Sequence, residues 1–200
     1  MIKKTFTILC ILIFSFVGSI FTYAHKISND LTSNIFRIHI IANSDSTEDQ
    51  ALKLKIRDNI LEHFSKKNLS FNTIDECIVY YSNNIDEINK IVLATLNEYN
   101  SDYTFSTEIC KSYFPTKDYD YFSLPTGTYN CLKIKIGEAV GQNWWCVLYP
   151  NLCITDIGTT QESKKLLENT VSNESYEVIT NNISYKFKIV EYIEKLKSVI

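Results

Sequence analysis

Apolar and polar positions along this chain change period several times, and each change marks an element. Residues 35–42 alternate, so Phe36, Ile38, Ile40 and Ala42 share one face of a predicted strand, and Arg37, His39, Ile41 and Asn43 the other. Asn43-Ser44-Asp45-Ser46 breaks that pattern with short side chains that bond nearby backbone. A helix over 47–67 follows. Thr47/Gln50 and Ser46/Asp49 have capping-box spacing, Glu48 and Asp49 load its first turn, and Lys66 and Lys67 close it. At α-helical spacing Leu52, Leu54, Ile56, Ile60, Leu61 and Phe64 form an apolar arc, yet Asp49, Gln50, Lys53 and Arg57 fall inside it. Charge so placed predicts one of three things. It is a solvated edge of a wide stripe, an ion network joining helix to strand, or a polar recognition site made with Arg37, His39, Asn43 and Asp45.

The rest of the pattern is read the same way. The short apolar run 76–81 suits a second strand, and 83–99 an amphipathic helix with Ile85, Ile88, Val92, Leu96 and Tyr99 on one face. Residues 103–114 read as a strand stopped by Pro115, and 117–125 as an aromatic loop holding Tyr119, Tyr121 and Phe122. A strand over 128–136, a loop over 137–143 punctuated by Gly137 and Gly141, and a strand over 144–149 come next, with a turn at Pro150-Asn151. The expected class is α+β: a single domain whose antiparallel sheet, a meander of three strands plus the first strand, is packed by two amphipathic helices. Residues 155–182 are polar, with one short helix at 162–168, and 183–200 suit a strand running into a terminal helix.

Charge placement at the N-terminus sets the compartment. Lys3 and Lys4 precede the uncharged run 5–24, the pattern of a signal peptide or signal anchor, with Thr22-Tyr23-Ala24 a weak cleavage site. The expected organisation is therefore a targeting segment at 1–24, a polar linker at 25–34, a core at 35–157 and a C-terminal extension at 158–200. Everything from His25 onward is expected to work outside the cytoplasm.

Composition narrows the chemistry. A net charge of −3 gives no electrostatic case for nucleic acid. Three His, none at ligand spacing, give no zinc site, and P-loop, GxGxxG, HExxH, CxxC and GxSxG patterns are all missing. No metal and no cofactor are expected. Asp156-Ile157-Gly158-Thr159 lacks the hydroxyl residue of an aspartic protease motif, and Leu124-Pro125-Thr126-Gly127 is one residue short of a sorting signal. Of six Cys, Cys10 lies in the apolar run, which leaves five in the exported part and at least one without an internal partner. Cys146 is the candidate for a disulfide, with Cys153 across the turn at 150–151 or with Cys131 across a hairpin near 138–139. It is also the only candidate nucleophile, with His39 or His63 as base, but its neighbours Trp145 and Val147 suit a packed or bonded sulfur.

Two stretches carry a resemblance. One is Arg37-Ile38-His39 with Ala42-Asn43-Ser44-Asp45-Ser46, Asp49-Gln50, Lys53 and Arg57-Asp58. The other is Gly127-Thr128-Tyr129, Ile136-Gly137-Glu138, Gly141, Asn143-Trp144-Trp145-Cys146-Val147, Pro150 and Leu152-Cys153. Together they resemble the stage II sporulation protein R family, with Asn151 where a second Pro is expected and Cys131 where Ala is expected. The resemblance implies a protein exported from the forespore into the space between the sporangial membranes. There it would activate a membrane-bound aspartic protease of the mother cell, leading to processing of pro-sigma-E, with no chemistry of its own. Residues expected to face such a partner are Arg37, His39, Asn43, Asp45, Asp49, Gln50, Lys53, Arg57, Asn143, Trp144 and Trp145. The rival reading is an extracytoplasmic Cys-dependent hydrolase of the cell envelope.

Overall fold

The computed structural model describes residues 2–67, 69–119, 121–153 and 161–181. Helix α1 (Ile2–Asn34) leads into strand β1 (Phe36–Ile41), and helices α2 (Thr47–Ser65), α3 (Ile74–Asn83) and α4 (Ile85–Glu98) follow. Strand β2 (Phe105–Phe114), a small hairpin of β3 (Lys117–Asp118) and β4 (Ser123–Leu124), and strands β5 (Gly127–Ile136) and β6 (Asn143–Tyr149) come next, then helices α5 (Gln161–Thr170) and α6 (Asn173–Thr180). The main sheet has the order β2-β5-β1-β6. The fold is α+β, as expected, but the sheet is not a meander. β1 lies between β5 and β6, parallel to the first and antiparallel to the second. The physical reason is burial: Phe36 to Ile40 are buried on both faces, which suits an interior strand better than an edge.

The alternation in β1 builds two cores. Phe36, Ile38 and Ile40 face one core with Leu52, Ile56, Ile60 and Phe64 of α2, Tyr81 of α3, and Ile88, Val92 and Leu96 of α4. Leu132, Ile134 and Ile136 of β5 complete that face. The opposite face gathers Ile27 and Leu31 of α1, Phe114, Tyr129, Cys131 and Val147 of the sheet, Phe122 and Leu124 around the hairpin, and Leu167, Val178 and Ile179 of α5 and α6. Burying these side chains, at about 25 cal/mol per Å² of apolar surface, is what holds helices on both sides of the sheet.

Four local expectations change. Residues 76–81 lie in helix α3, where Thr73 caps the N-terminus by accepting from the Glu76 N–H, and i,i+4 spacing puts Cys77 and Tyr81 on the buried side. Residues 25–34 are not a linker: α1 continues through them because Ile27 and Leu31, four apart, are buried in the second core. A helix over 173–180 was not foreseen; Ser172 caps it. Leu54, placed in the apolar arc of α2, is 38% exposed, and the buried line runs Asp49, Leu52, Lys53, Ile56, Ile60 and Phe64. The strand and helix expected at 183–200 lie outside the described residues.

Candidate functional site

Sheet order creates a geometric problem at one end. β5 and β6 flank β1, so the connection at 137–142 must cross the C-terminal end of β1. Strands sit about 4.8 Å apart, so the step is roughly 10 Å, well within reach of six residues. The β1–α2 loop and the crossing loop meet there, and the polar residues of the two family-like stretches fasten them.

Asn43 is the centre of that clasp. Its amide nitrogen donates to Asp49 Oδ2 at 2.8 Å, its side-chain oxygen accepts from the Glu138 N–H at 2.9 Å, and its carbonyl accepts from the Val140 N–H. The Ala42 carbonyl accepts from Gly141 N–H, and Asp45 Oδ1 accepts from the Gln142 N–H at 2.6 Å. Two glycines permit the approach. A Cβ on Gly141 would lie 2.2 Å from the Ser44 carbonyl oxygen, and one on Gly137, whose φ is +56°, would lie 2.2 Å from Asn43 Oδ1.

Helix α2 anchors the clasp from below. Ser46 caps the helix by accepting from the Asp49 N–H, while Ser44 Oγ donates to the Asp49 carboxylate. These bonds, that from Ser44 foremost, hold the buried Asp49 carboxyl below the usual carboxylate range, against the upward push of burial. Gln50 donates to the Ser44 carbonyl at 2.8 Å. Lys53 is 4% exposed and donates to Gln50 Oε1 at 2.6 Å and to the Gln142 carbonyl at 3.0 Å. Burial, then the nearby Arg57 charge, lowers the pKa of its ammonium.

The remaining expected site residues separate from this clasp. Arg57 bonds Asp58 and sits 5.4 Å over the Trp144 ring, at the surface of the α2 side. His39 lies on the opposite face, 6% exposed, with Nε2 2.6 Å from Asn143 Oδ1 and its ring 5.8 Å from that of Trp145. Burial lowers its pKa below the ordinary value. Arg37 is fully buried on that same face, with its guanidinium 4.1 Å above the Phe114 ring and Nη2 donating to Tyr119 Oη at 2.7 Å. The expected single cluster of Arg37, His39, Asp49, Lys53 and Arg57 is therefore divided by the sheet. Odd-numbered β1 residues point away from α2, so Arg37 and His39 do not reach Asp49 or Lys53. Val140 and Gln142 are not marked by the sequence, and Glu138 is marked only as part of a family-like stretch. Gly137 and Gly141 flag their loop, but only the strand order shows what it crosses.

Cys146 bonds to Cys153, with Cα atoms 6.0 Å apart. Cys131 is not its partner, because β1 lies between β5 and β6; its sulfur instead sits 4.0 Å from that of Cys110, directly across β2–β5. Burial pushes the Cys131 thiol up to about 12. No group of three or more His, Cys, Asp or Glu able to hold a metal occurs among the described residues.

The comparisons with known proteins agree with one another. Residues 32–159 match the family model described as Stage II sporulation protein R. The chain is 30% identical over 193 residues, 92% of its length and 86% of the relative's, to Stage II sporulation protein R of Bacillus subtilis (strain 168). No solved structure matches.

Proposed function

Since the chain belongs to the stage II sporulation protein R family, we propose that it is an exported sporulation signal, a ligand that acts by binding. It crosses the forespore membrane and activates a membrane-bound aspartic protease of the mother cell, which then processes pro-sigma-E. The observation that carries this reading is the state of the best candidate nucleophile. The Cys146 sulfur is held in the bond to Cys153, and the His39 imidazole is engaged by Asn143 on the face opposite α2. A hydrolase built on that pair needs a free thiolate beside its base.

Export is supported by α1. Its most apolar stretch is unburied, with Phe6, Leu9, Phe14, Phe16 and Val17 all more than half exposed. Its uncharged residues 5–24 extend roughly 30 Å as a helix, the thickness of a bilayer core. The partner-facing surface in this reading is the outer side of the clasp, where Asp45, Glu48, Glu138, Gln142 and Asn143 are exposed and Val140 is 74% exposed. Loops held on a rigid scaffold are where binding residues concentrate.

The test is to add the purified protein to membranes carrying the receptor protease and follow cleavage of pro-sigma-E. Cleavage only when both are present supports the ligand. Release of soluble fragments from peptidoglycan by the protein alone would support the hydrolase.

A further inference from the structure

Two further cysteines meet in this fold. Cys110 of β2 and Cys131 of β5 stand directly opposite each other in the antiparallel register, Cys131 buried in the second core and Cys110 packed against it. Their sulfurs are 4.0 Å apart. Opposed residues of an antiparallel pair have Cα atoms about 4.5 or 5.5 Å apart, and both values lie inside the range a disulfide spans. Rotation of the two side chains, rather than movement of the strands, is what separates contact from bond.

The number of cysteines points the same way. Beyond Cys10 in the apolar run, the chain has Cys77, Cys110, Cys131, Cys146 and Cys153. Cys146 and Cys153 are already joined, which suits surroundings where disulfides persist. A second bond leaves only Cys77, fully buried in the first core, its thiol pushed up to about 12 by burial. A thiol so placed is an inert small hydrophobe. Cys131 stands where the family pattern has Ala, so the pair is a feature of this chain.

We propose that Cys110 and Cys131 are a second disulfide site, which staples the edge strand β2 to β5 and is closed by exchange with a disulfide-carrying oxidant. Cys110, the half-buried member, loses its proton and attacks one sulfur of the oxidant. The oxidant's S–S bond breaks, a mixed disulfide forms on Cys110, and the released sulfur takes up a proton. Cys131 then loses its proton, attacks the Cys110 sulfur and expels the second sulfur. The two protein thiols are oxidised, and the oxidant leaves as two thiols. Burial, and then Cys110, push the Cys131 thiol up to about 12, while Lys133 and Arg37 pull it down. Once Cys110 is in the mixed disulfide its share of that upward push is gone, which favours the second attack. The bond joins residues 21 apart and closes a loop that contains the β3–β4 hairpin. Among the described residues β2 has β5 as its one sheet neighbour, so the staple holds a strand that is otherwise paired on one side. The site stands whether or not the protein activates a protease.

The experiment equilibrates the full chain, in detergent, with mixtures of reduced and oxidised glutathione. The protein is then unfolded in iodoacetamide and its peptides are mapped without reduction. In the oxidising mixture Cys10 and Cys77 should take the label, and Cys110 and Cys131 should instead appear linked, lighter together by two hydrogen atoms. Cys131→Ala, which stops the exchange halfway, should carry glutathione on Cys110. The melting temperature of the wild type should rise from the reducing to the oxidising mixture. That rise should exceed the same difference in Cys110→Ser/Cys131→Ala by about 5 °C or more, because the cross-link restricts the unfolded chain. Label on both Cys110 and Cys131 in the oxidising mixture overturns the proposal. So does linkage of either to another cysteine or to a second molecule, absence of the glutathione adduct in Cys131→Ala, or a melting temperature that rises no more than in the double variant.

Discussion

Asp49 accepts bonds from Asn43 and Ser44 at the point where two loops and a helix meet. Bonds to a charged acceptor contribute about 1.5–3 kcal/mol each, and an orphaned buried donor adds its own cost. Asp49→Ala should therefore destabilise the domain by about 2–4 kcal/mol in urea unfolding, while Asp58→Ala, at an exposed pair, should cost under about 1. The carboxyl's lowered pKa has a signed consequence. Its contribution is complete above the unfolded value of about 3.9 and is lost as pH falls through the lower folded value, so Asp49→Asn should flatten stability in that range. His39 acts higher on the scale. Burial holds its folded pKa below the ordinary 6.5, so the unfolded chain takes up the proton first, and stability should fall as pH drops from 6.5 toward that folded value. His39→Gln should remove that slope in unfolding measured between pH 7 and 5. At this scale the sequence showed that Asp49 and Lys53 lie on the apolar side of α2, because i,i+4 spacing needs no tertiary knowledge. It did not show that Arg37 is divided from them, since which face of β1 meets α2 depends on packing.

Among elements, the crossing loop is the one whose reason is visible only in the sheet. Alternation within β1 was readable residue by residue, as were the cap at Ser46 and the strand stop after Phe114. Strand order was not, because period two tells which face a residue occupies and nothing about which strand lies beside it. An antiparallel pair and a step over one strand both fit a loop of six residues. Likewise 76–81 shows apolar residues at 77, 78, 79, 80 and 81, a run too short for period alone to separate helix from strand. The close approach of the loops makes a graded prediction. Gly141→Ala meets backbone at Ser44, which cannot swing aside, whereas Gly137→Ala meets the Asn43 side chain at a left-handed φ. Gly141→Ala should be the more destabilising, with Gly137→Ala costing about 1–3 kcal/mol. Hydrogen exchange at Val140 and Gly141 should speed in both, ahead of the rest of β5 and β6. The bond between Cys146 and Cys153 closes a short loop at the other end of β6, and Cys146→Ser/Cys153→Ser together should cost about 2 kcal/mol without loss of fold.

For the whole molecule, α1 joins two environments in one helix: an apolar, exposed half, and a half whose Ile27 and Leu31 are built into the second core. Removing 1–24 should leave a soluble folded domain, while Ile27→Ala/Leu31→Ala in the same background should loosen the second core, as two buried aliphatic truncations of about 2–5 kcal/mol each do. The central claim is that the folded molecule signals by occupying a receptor, with no side chain doing chemistry. A catalyst that depends on its nucleophile loses orders of magnitude when one atom is changed, whereas a ligand loses only what its folded fraction loses. The measurement is a titration of the Cys146→Ser/Cys153→Ser protein, at matched folded concentration beside the wild type, into membranes carrying the receptor protease, with pro-sigma-E cleavage as readout. Saturation of both curves at a fixed stoichiometric ratio to receptor is the predicted result. Full activation by catalytic amounts of wild type, together with complete inactivity of the folded variant, would contradict it.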